Sequence, residues 1–251
     1  MNFGGWWIMR KSLLLLCFVI VLSFNCLADS RGQFPSSEIR GIKPVDVWPE
    51  KLLSFDEYKK SDLERLKKFS SRWSSFHPDI NLDWLTLSTT ASSTLGNAYR
   101  GANICDGNIS TAWVEGVEGN GIGEWIKIEI EAGSWLEEIT TTPFSIISIA
   151  TIPGYGKSEK TWIENNRVKK LLVVIYTPPQ AVPEENEWVV LRLNLRDENK
   201  FQVFTLPIDL MTSSIDEMRK TVWLRIEEVY KGTKYEDTCI SEFVMSGGFS
   251  S

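Results

Sequence analysis

The sequence predicts an all-β domain, a sandwich or jelly roll, preceded by a short helical segment. From about residue 83 onward, segments of alternating apolar and polar residues recur, and stretches carrying Gly, Pro, Asn or Asp separate them. With 251 residues, of which 43% are hydrophobic and 12% aromatic, the chain can bury a substantial core. Many short strands with few helices are typical of two packed sheets, because each sheet must bury its apolar face.

The clearest strand is Trp125 to Ile130, in which three isoleucines alternate with Lys127 and Glu129. Successive side chains of a strand point to opposite faces, so this pattern predicts one buried and one solvated face. The same alternation recurs at Val189–Leu195 and Val222–Ile226. Further strands are predicted at Phe144–Ile152, Arg167–Tyr176, Phe201–Leu206 and Cys239–Met245, and one short helix near Ser214–Lys220.

One amphipathic helix is predicted ahead of the strands, within a helical segment at residues 54–82. Ser54 with Glu57 three residues later forms a capping-box pattern, in which each side chain bonds the main-chain N–H of the other residue. Apolar side chains recur at helical spacing as far as Phe69. We expect this helix to pack on the domain through its apolar face, with binding of a partner as the alternative use.

The first 28 residues have the layout of an export signal. Arg10 and Lys11 precede the apolar run Ser12–Phe24, which is too short for a typical transmembrane helix. The initiator is either Met1 or Met9. We therefore expect an exported protein, either secreted, periplasmic or anchored in the envelope as a lipoprotein.

Two processing routes remain open at the end of this signal. Ordinary cleavage after Ala28 competes with lipidation at Cys26, which follows a loose version of a lipoprotein box. A lipid at Cys26 is the one membrane attachment that the sequence suggests. Residues 29–53 are polar with scattered Pro and Gly, and they are predicted to form a tether between the export site and the folded part.

Composition excludes several classes of function. The 33 acidic and 27 basic residues give a net charge of -6, which argues against nucleic acid or anionic lipid as the main partner. His77 is the only histidine, so a histidine pair or a zinc site of several imidazoles is excluded. The sequence contains no nucleophile elbow, phosphate loop or metal-hydrolase motif, and no acidic pair stands out as a glycosidase acid and base. We therefore expect no enzyme activity.

The most distinctive motif is NICDGNISTAWVEGVEGNGIGE at Asn103–Glu124, with the later segment DTCISE at Asp237–Glu242. The first segment places Asp106, Asn108 and Thr111 in one tight turn that leads into a tryptophan. Four further stretches follow a recognisable order and spacing: ASSTLGNAYRGANICDG, IATIPGYGKS, WIENNRVKKLLV and VYKGTKYEDTCISE.

As a set, these segments resemble the discoidin, or coagulation-factor type C (F5/8 C), family. The resemblance covers roughly Asp83–Met245 within a domain at residues 83–251, and it is closest to the glycan-binding translocation domain of bacterial NAD glycohydrolase toxins. It implies a discoidin-like (galactose-binding-like) jelly roll without catalysis of its own, which recognises carbohydrate or a cell surface through loops at one end. The chain lacks room for the NAD-cleaving domain that such modules accompany, so that activity does not carry over.

The resemblance leads to two hypotheses about function. The first is a non-catalytic exported module whose partner is a glycan or a glycosylated surface. The alternative is a protein-interaction or structural module of the bacterial cell envelope, which contacts envelope proteins without binding glycans.

A structural Ca²⁺ ion is the one cofactor that the motifs suggest. Asp106, Asn108, Thr111 and Glu242 supply four side-chain oxygens, and carbonyls of the turn can complete the six to eight ligands that Ca²⁺ takes. Related jelly rolls use this loop and this late glutamate for a structural ion. The alternative is an Asx-type turn, in which Asp106 and Thr111 bond their own backbone and Gly107 takes a positive φ without any metal.

Cys105 and Cys239 remain after export under either processing route, in a setting where disulfides persist. Cys105 directly precedes Asp106, and Cys239 lies three residues before Glu242. If those two carboxylates share a cation, the two cysteines lie near one another as well. We therefore predict a Cys105–Cys239 disulfide, with two separate buried thiols as the alternative.

Sugars are bound by aromatic faces next to charged and amide side chains, so exposed aromatic residues on loops are the candidates. Tyr155 lies between glycines in PGYGK, and Trp162, Asn166 and Arg167 follow before a strand. Glu115 begins the glycine-rich stretch of residues 115–124, where the backbone can approach a ligand closely. In the alternative interpretation the tryptophans belong to the core and the glycines serve only the turn.

Overall fold

The computed structural model describes residues 33–61, 85–132, 144–176, 188–212 and 220–249. In these ranges the strands form two sheets packed face to face, which confirms the predicted all-β sandwich. The strands are β1 (Val45–Val47), β2 (Lys51–Leu53), β3 (Leu85–Ala91), β4 (Trp113–Val114), β5 (Trp125–Ala132), β6 (Phe144–Ile152), β7 (Asn166–Tyr176), β8 (Trp188–Asn194), β9 (Phe201–Thr212), β10 (Lys220–Tyr230), β11 (Thr238–Ile240) and β12 (Glu242–Phe249). The helices are α1 (55–61) and α2 (Glu159–Glu164), with 3₁₀ turns at Asn97–Tyr99 and Gly101–Cys105.

The larger sheet has the strand order β1-β8-β7-β10-β5-β3, and β11 lies beside β7 with β4 on its other side. The smaller sheet has the order β12-β6-β9-β2. β1 runs parallel to β8, and β11 runs parallel to β7. The other paired strands of the described ranges are antiparallel, as expected for hairpin-rich sandwiches.

The core lies between the two sheets. Ile126, Ile128 and Ile130 of β5 all face it, as the alternation predicts. Trp113 is fully buried, and its indole Nε1 donates to the Ser93 carbonyl at 2.9 Å, so its polar atom is satisfied inside the protein. The loop that carries the distinctive motif is therefore anchored to the core by its tryptophan.

Each predicted strand is present, but β9 and β10 extend beyond their predicted bounds, β1 to β4 were not predicted individually, and one predicted strand is divided. The predicted strand Cys239–Met245 breaks at Ser241 into β11 and β12, which belong to different sheets. Ser241 is fully buried where the chain crosses between the sheets, and its hydroxyl accepts from the Gly156 N–H at 2.8 Å. The helix predicted near Ser214–Lys220 lies largely outside the described residues, and Lys220 itself begins β10.

The prediction of a tether is wrong for residues 33–53, because these residues lie on the sandwich. We name them the N-terminal strap. β1 pairs with β8 at the edge of the larger sheet, and β2 pairs with β9 at the edge of the smaller one. Phe34 and Ile39 pack on an apolar cluster of the larger sheet, while Val47 is buried in the main core. A few apolar residues and main-chain pairing therefore fix a segment whose composition is largely polar.

The predicted amphipathic helix is confirmed at its start. The Ser54 N–H donates to a Glu57 carboxylate oxygen at 2.8 Å, and the Glu57 N–H donates to Ser54 Oγ at 3.3 Å, which completes the capping box. Tyr58 is 2% exposed and stacks on Phe201 with ring centroids 4.1 Å apart. The helix therefore packs on the sandwich, as expected. Its predicted continuation to Phe69 and the export signal at residues 1–28 lie outside the described residues.

Among the described segments, none of the helices has both the length and the apolar character required to cross a membrane.

Candidate functional site

Five connections leave the sandwich at one end, which we name the loop end. The strand registers place Ala91, Trp125, Asn166 and Asn194 at this end of the larger sheet, with Ile152 at the matching end of the smaller sheet. The connections are residues 92–112, 115–124, 153–165, 195–200 and 231–237. The loop end contains every residue that the sequence predicts to bind an ion or a ligand.

The turn of the distinctive motif bonds to itself. Asp106 Oδ1 accepts from the Asn108 N–H at 2.9 Å, and Thr111 Oγ1 donates to Asp106 Oδ2 at 2.7 Å. Gly107 between them has a φ of 71°, a conformation that favours glycine. The hydrogen bonds of the predicted Asx-type turn are therefore present.

Glu242 meets this turn from the other part of the chain. It begins β12, is 2% exposed, and lies close enough to Asp106 for the charge of one carboxyl group to act on the other. Burial first and the Asp106 charge second raise the pKa of Glu242 to about 9, although the Asn108 N–H acts in the opposite direction. The structure therefore brings the four predicted ion-binding residues together; we name Asp106, Asn108, Thr111 and Glu242 the oxygen corner.

One atom of the oxygen corner is not explained by the turn. Glu242 Oε1 is buried and makes no hydrogen bond, although a buried carboxylate oxygen ordinarily has a partner. A proton or a cation between Glu242 and Asp106 would satisfy this oxygen and reduce the repulsion of the two carboxylates.

The oxygen corner could hold a hard cation. No group of three or more His, Cys, Asp or Glu side chains within the described ranges is arranged as a metal site. The corner instead offers two carboxylates, one amide oxygen and one hydroxyl, together with carbonyls of the turn. All of these are oxygen ligands, a set that suits Ca²⁺ better than a transition metal.

The predicted Cys105–Cys239 disulfide is absent, because Cys239 is a free thiol. Cys239 is fully buried on β11 among Ala112 and Val114, and burial raises the pKa of its thiol. Cys105 packs against the main core and points its sulfur at the Ala102 carbonyl, 3.4 Å away. The disulfide prediction is wrong because the two sulfurs lie in separate apolar clusters, although neighbouring residues of both cysteines meet at the oxygen corner.

Three of the predicted ligand residues are structural. Trp162 is 6% exposed and belongs to an apolar cluster with Tyr58. Asn166 Oδ1 accepts from the Gly232 N–H at 2.6 Å, which ties β7 to the loop at 231–237. These two residues are therefore corrected from ligand contacts to internal packing and bonding groups.

Arg167 is the third of these residues, and most of its guanidinium donors are used inside the protein. Its Nε and Nη2 donate to the two Asp197 oxygens at 3.0 and 2.6 Å, and its Nη1 donates to the carbonyls of Asn165 and Lys231. Its side chain is 9% exposed. This bidentate ion pair clamps three loops of the loop end and, with the two carbonyl bonds, uses four of the five guanidinium donors inside the protein, which argues against the predicted ligand role.

Glu115 was also predicted to contact a ligand, but in the structure it is a buried side chain that holds the loop through hydrogen bonds. It is fully buried, and its two oxygens accept from the main-chain N–H groups of Thr238 at 3.0 Å and Val117 at 2.9 Å. Burial raises the pKa of this carboxyl group, while the two N–H donors act against the rise. A Cβ on Gly121 would lie 2.4 Å from Glu115 Cγ, so the absence of a side chain at Gly121 lets the backbone pack against Glu115.

Tyr155 is the predicted ligand residue that keeps part of its side chain open to solvent. Its ring meets the ring of Tyr99 edge to face with centroids 6.4 Å apart, and its hydroxyl donates to the Ser110 carbonyl at 3.3 Å. Partial burial raises the pKa of the Tyr155 phenol. The sequence interpretation overlooked Tyr99, although this residue stands three positions after the Gly96 of the same motif region.

Trp48 is another aromatic residue that the sequence interpretation overlooked. It lies on the N-terminal strap and is 62% exposed, more than any other large apolar residue of the described ranges. The alternation in VDVWPE, where Val47 and Pro49 are buried and Asp46 and Trp48 are exposed, was the available signal. It was missed because the strap was interpreted as a tether.

The two-sheet sandwich, with its tryptophan-anchored motif loop and buried late glutamate, defines a discoidin-type module. Residues 79–246 match the family described as the NAD glycohydrolase translocation F5/8 type C domain, and the chain belongs to this family. The resemblance stated from the sequence is therefore confirmed. The family is one of non-catalytic binding modules. No curated protein sequence matches the chain.

Several solved carbohydrate-binding modules are similar to this chain. Chitosan-binding module 2 of the chitosanase/glucanase from Paenibacillus sp. IK-5, in complex with chitotriose, is 13% identical with a TM-score of 0.37, covering 63% of this chain and 95% of that chain. The family 32 module of Streptococcus pneumoniae EndoD is 13% identical with a TM-score of 0.40, covering 64% and 94%. The CBM32-1 and CBM32-2 domains of Clostridium perfringens ZmpB, in complex with GalNAc, are 9% identical with a TM-score of 0.40, covering 76% and 47%.

Proposed function

We propose that the chain is a non-catalytic exported module that binds a glycan or a glycosylated surface through its loop end. Membership of a family of binding modules supports the proposal. The observation that carries it is the partly exposed pair of Tyr155 and Tyr99, beside a loop that buried neighbours hold in place. A fixed aromatic ring with an open edge or face can pack on the C–H surface of a sugar at little entropic cost.

The Tyr155 loop is rigid in a way that suits recognition. Thr161 Oγ1 donates to the Tyr155 carbonyl at 3.1 Å, and Thr161 forms the capping box of α2 with Ser158. A Cβ on Gly154 would lie 2.5 Å from Arg167 Cγ, so the loop packs tightly on the Arg167 clamp. Arg167, which was predicted to contact the ligand itself, thus has a supporting role, because it helps to position the tyrosine that makes the contact.

Hydrogen-bonding groups surround the tyrosine pair. Asn199 Nδ2 donates to the Gly156 carbonyl at 3.3 Å, and the exposed Arg100 follows Tyr99 in the chain. The Ser110 carbonyl accepts the Tyr155 hydroxyl. Amide, guanidinium and carbonyl groups of this kind can bond sugar hydroxyls, whereas the tyrosines supply apolar contact.

A glycan array probed with the full chain tests this function. We expect saturable binding to at least one sugar, its loss in Tyr155→Ala, and its retention in Tyr155→Phe, which keeps the ring and removes the hydroxyl. Ile163→Ala is the matched control, because Ile163 is 43% exposed on α2, the helix that follows the Tyr155 loop, and does not belong to the tyrosine pair. Silence of the wild-type chain on every sugar would contradict the proposal and favour the alternative, a protein-interaction or structural module of the envelope.

We also propose that the oxygen corner binds a structural Ca²⁺ ion. Asp106 and Glu242 would hold it with Asn108 and Thr111, and the ion would supply positive charge that steadies the loop without taking part in chemistry. The unpartnered Glu242 Oε1 supports this proposal. Elemental analysis after dialysis against Ca²⁺ should find one ion per wild-type chain and none in Glu242→Gln. Glu118→Gln, at an exposed acid of the same end, should keep the ion.

A further inference from the structure

The outer face of the larger sheet has two halves with different chemistry. Strap residues Phe34 and Ile39 cover the apolar half, where they pack on a cluster that includes Leu172 and Trp223. The other half is open and forms a shallow groove of about 510 Å³. Its lining includes Ile122, Lys170, Arg192, Arg225, Glu227 and Glu228. We name this region the outer groove.

The charged side chains of the outer groove hold one another in fixed positions. Arg192 Nε donates to Glu227 Oε2 at 2.6 Å, and Arg225 Nη2 lies 3.6 Å from the other Glu227 oxygen. Glu228 pairs with Lys169 and also with Lys170, whose Nζ lies 2.7 Å from Glu228 Oε2. A register shift between β10 and β7 accompanies these adjacent acids. The result is a preformed array of hydrogen-bond donors and acceptors.

The N-terminal strap extends this array to the edge of the sheet. Asn194 Nδ2 donates to Asp46 Oδ1 at 3.2 Å, and Arg192 lies 3.7 Å from the same oxygen. Asp46 lies on the outer face beside Arg192. Trp48 is two residues beyond it and is exposed, while Val47 between them is buried, so the indole points away from the core. The surface from β10 through β7 and β8 to β1 spans about 14 Å at the usual strand spacing.

We propose that the outer groove and Trp48 form a binding surface for a neutral oligosaccharide chain. Trp48 packs on one sugar ring, and the ion-paired side chains bond hydroxyls of the following sugars. This surface goes beyond the loop-end function, because it extends from the 115–124 connection over the outer face of the larger sheet and its aromatic residue lies outside the matched residues 79–246. It can bind even if the loop end does not.

The arrangement of charge selects a neutral ligand. Asp46, Glu227 and Glu228 alternate with the basic side chains, so an anionic chain would meet carboxylates along the groove. Hydroxyl groups can donate to the carboxylates and accept from the basic groups without separating the ion pairs. A peptide would find few anchors, since a peptide site typically has buried apolar pockets and this groove is shallow and polar.

Calorimetric titration of the full chain with neutral monosaccharides and their oligosaccharides tests the proposal. We expect oligosaccharides to bind more tightly than the monosaccharide, and Trp48→Ala to weaken oligosaccharide binding by about tenfold or more. Trp48→Phe should restore most of the affinity. Tyr155→Ala should leave oligosaccharide binding at the outer groove unchanged. Val45→Ala, at a residue 40% exposed on β1 of the same strap, controls for disturbance of the strap.

The outcomes separate this surface from the loop-end site. Oligosaccharide binding that Trp48→Ala abolishes and Tyr155→Ala spares supports the outer groove. Binding that Tyr155→Ala abolishes and Trp48→Ala spares overturns the outer groove and leaves the loop-end function intact. Equal weakening by Val45→Ala and Trp48→Ala overturns the stacking role of the indole. Preference for heparin or another anionic chain over neutral oligosaccharides overturns the proposed ligand class.

Discussion

The oxygen corner and the N-terminal strap are held on the same sandwich by different forces. The corner depends on short-range hydrogen bonds around Asp106 and on a buried carboxyl group, Glu242, that arrives from a distant part of the chain. The strap depends on main-chain pairing with β8 and β9 and on a few apolar contacts such as Val47. The corner is therefore an electrostatic assembly, and the strap is a packing assembly.

This difference has consequences for stability. Electrostatic interactions of a buried carboxyl group change with pH and with bound cations, so the corner should respond to both. Apolar burial and main-chain pairing change little with either, so the strap should respond to mutation alone. Experiments that separate these responses test the comparison directly.

The largest expected effect is at the strap. Val47→Asp places a carboxylate at a position that is 8% exposed and packed in the main core. We expect it to lower the free energy of unfolding by about 3 to 5 kcal/mol, because a buried charge without a partner is strongly destabilising. Urea denaturation measures the loss. The neighbouring Asp46→Asn, on the exposed face, should change stability by less than about 1 kcal/mol, and equal losses in both variants would contradict the placement of the strap.

A pH dependence of comparable size is expected at the corner. Burial raises the pKa of Glu242 from 4.5 to about 9. Between these two pH values the metal-free native state therefore binds more protons than the unfolded state. Stability therefore falls as pH rises from about 5 to about 8, by about 4 kcal/mol at most. Denaturation midpoints measured in chelator across this range report the slope. Glu242→Gln should flatten it, and a wild-type slope that survives in this variant would assign the effect to other groups.

A smaller effect is expected from the clamp of the loop end. Arg167→Ala removes both bonds to Asp197 and two bonds to main-chain carbonyls. We expect a loss of about 2 kcal/mol, below the usual cost of breaking a buried pair because the Asp197 side chain is 38% exposed. Thermal unfolding measures it. Unchanged stability with lost sugar binding would restore the direct ligand role that the structure argues against.

The smallest expected effect is that of a reducing agent on the thermal midpoint. Because Cys239 is a free thiol, a reducing agent should leave the thermal midpoint of the full chain unchanged. Cys239→Ser should give the same midpoint with and without the reductant. A midpoint that drops on reduction in the wild type, but not in this variant, would indicate that Cys239 forms a disulfide in solution.

Much of the fold could be predicted because it follows from local alternation. β6 matches its predicted bounds of Phe144–Ile152, and the isoleucines of β5 face the core as expected. The capping box at Ser54 was likewise visible, because both of its partners lie within one helical turn. The strap was not predicted, since its strands are only three residues long and their pairing partners lie about 150 residues away in the chain.

The site was predicted only in part, and for a related reason. The oxygen corner was identified because three of its residues lie in one short turn. The exposure of Trp162 and Arg167, in contrast, is decided by long-range packing against α1 and by contacts with Asp197 and Lys231, which no local pattern reveals. The prediction of a Cys105–Cys239 disulfide failed because proximity in sequence to the ion ligands does not fix the direction in which a sulfur points.

Thermal unfolding of the full chain with Ca²⁺ and with chelator tests the central claim, that Asp106 and Glu242 meet to hold a cation. At a Ca²⁺ concentration of about one hundred times Kd, binding adds about 2.7 kcal/mol to the free energy of unfolding, so the wild-type midpoint should rise by about 5 °C or more. Glu242→Gln should show no rise, and Glu118→Gln should behave as the wild type. A wild-type midpoint that is the same in Ca²⁺ and in chelator would contradict the claim.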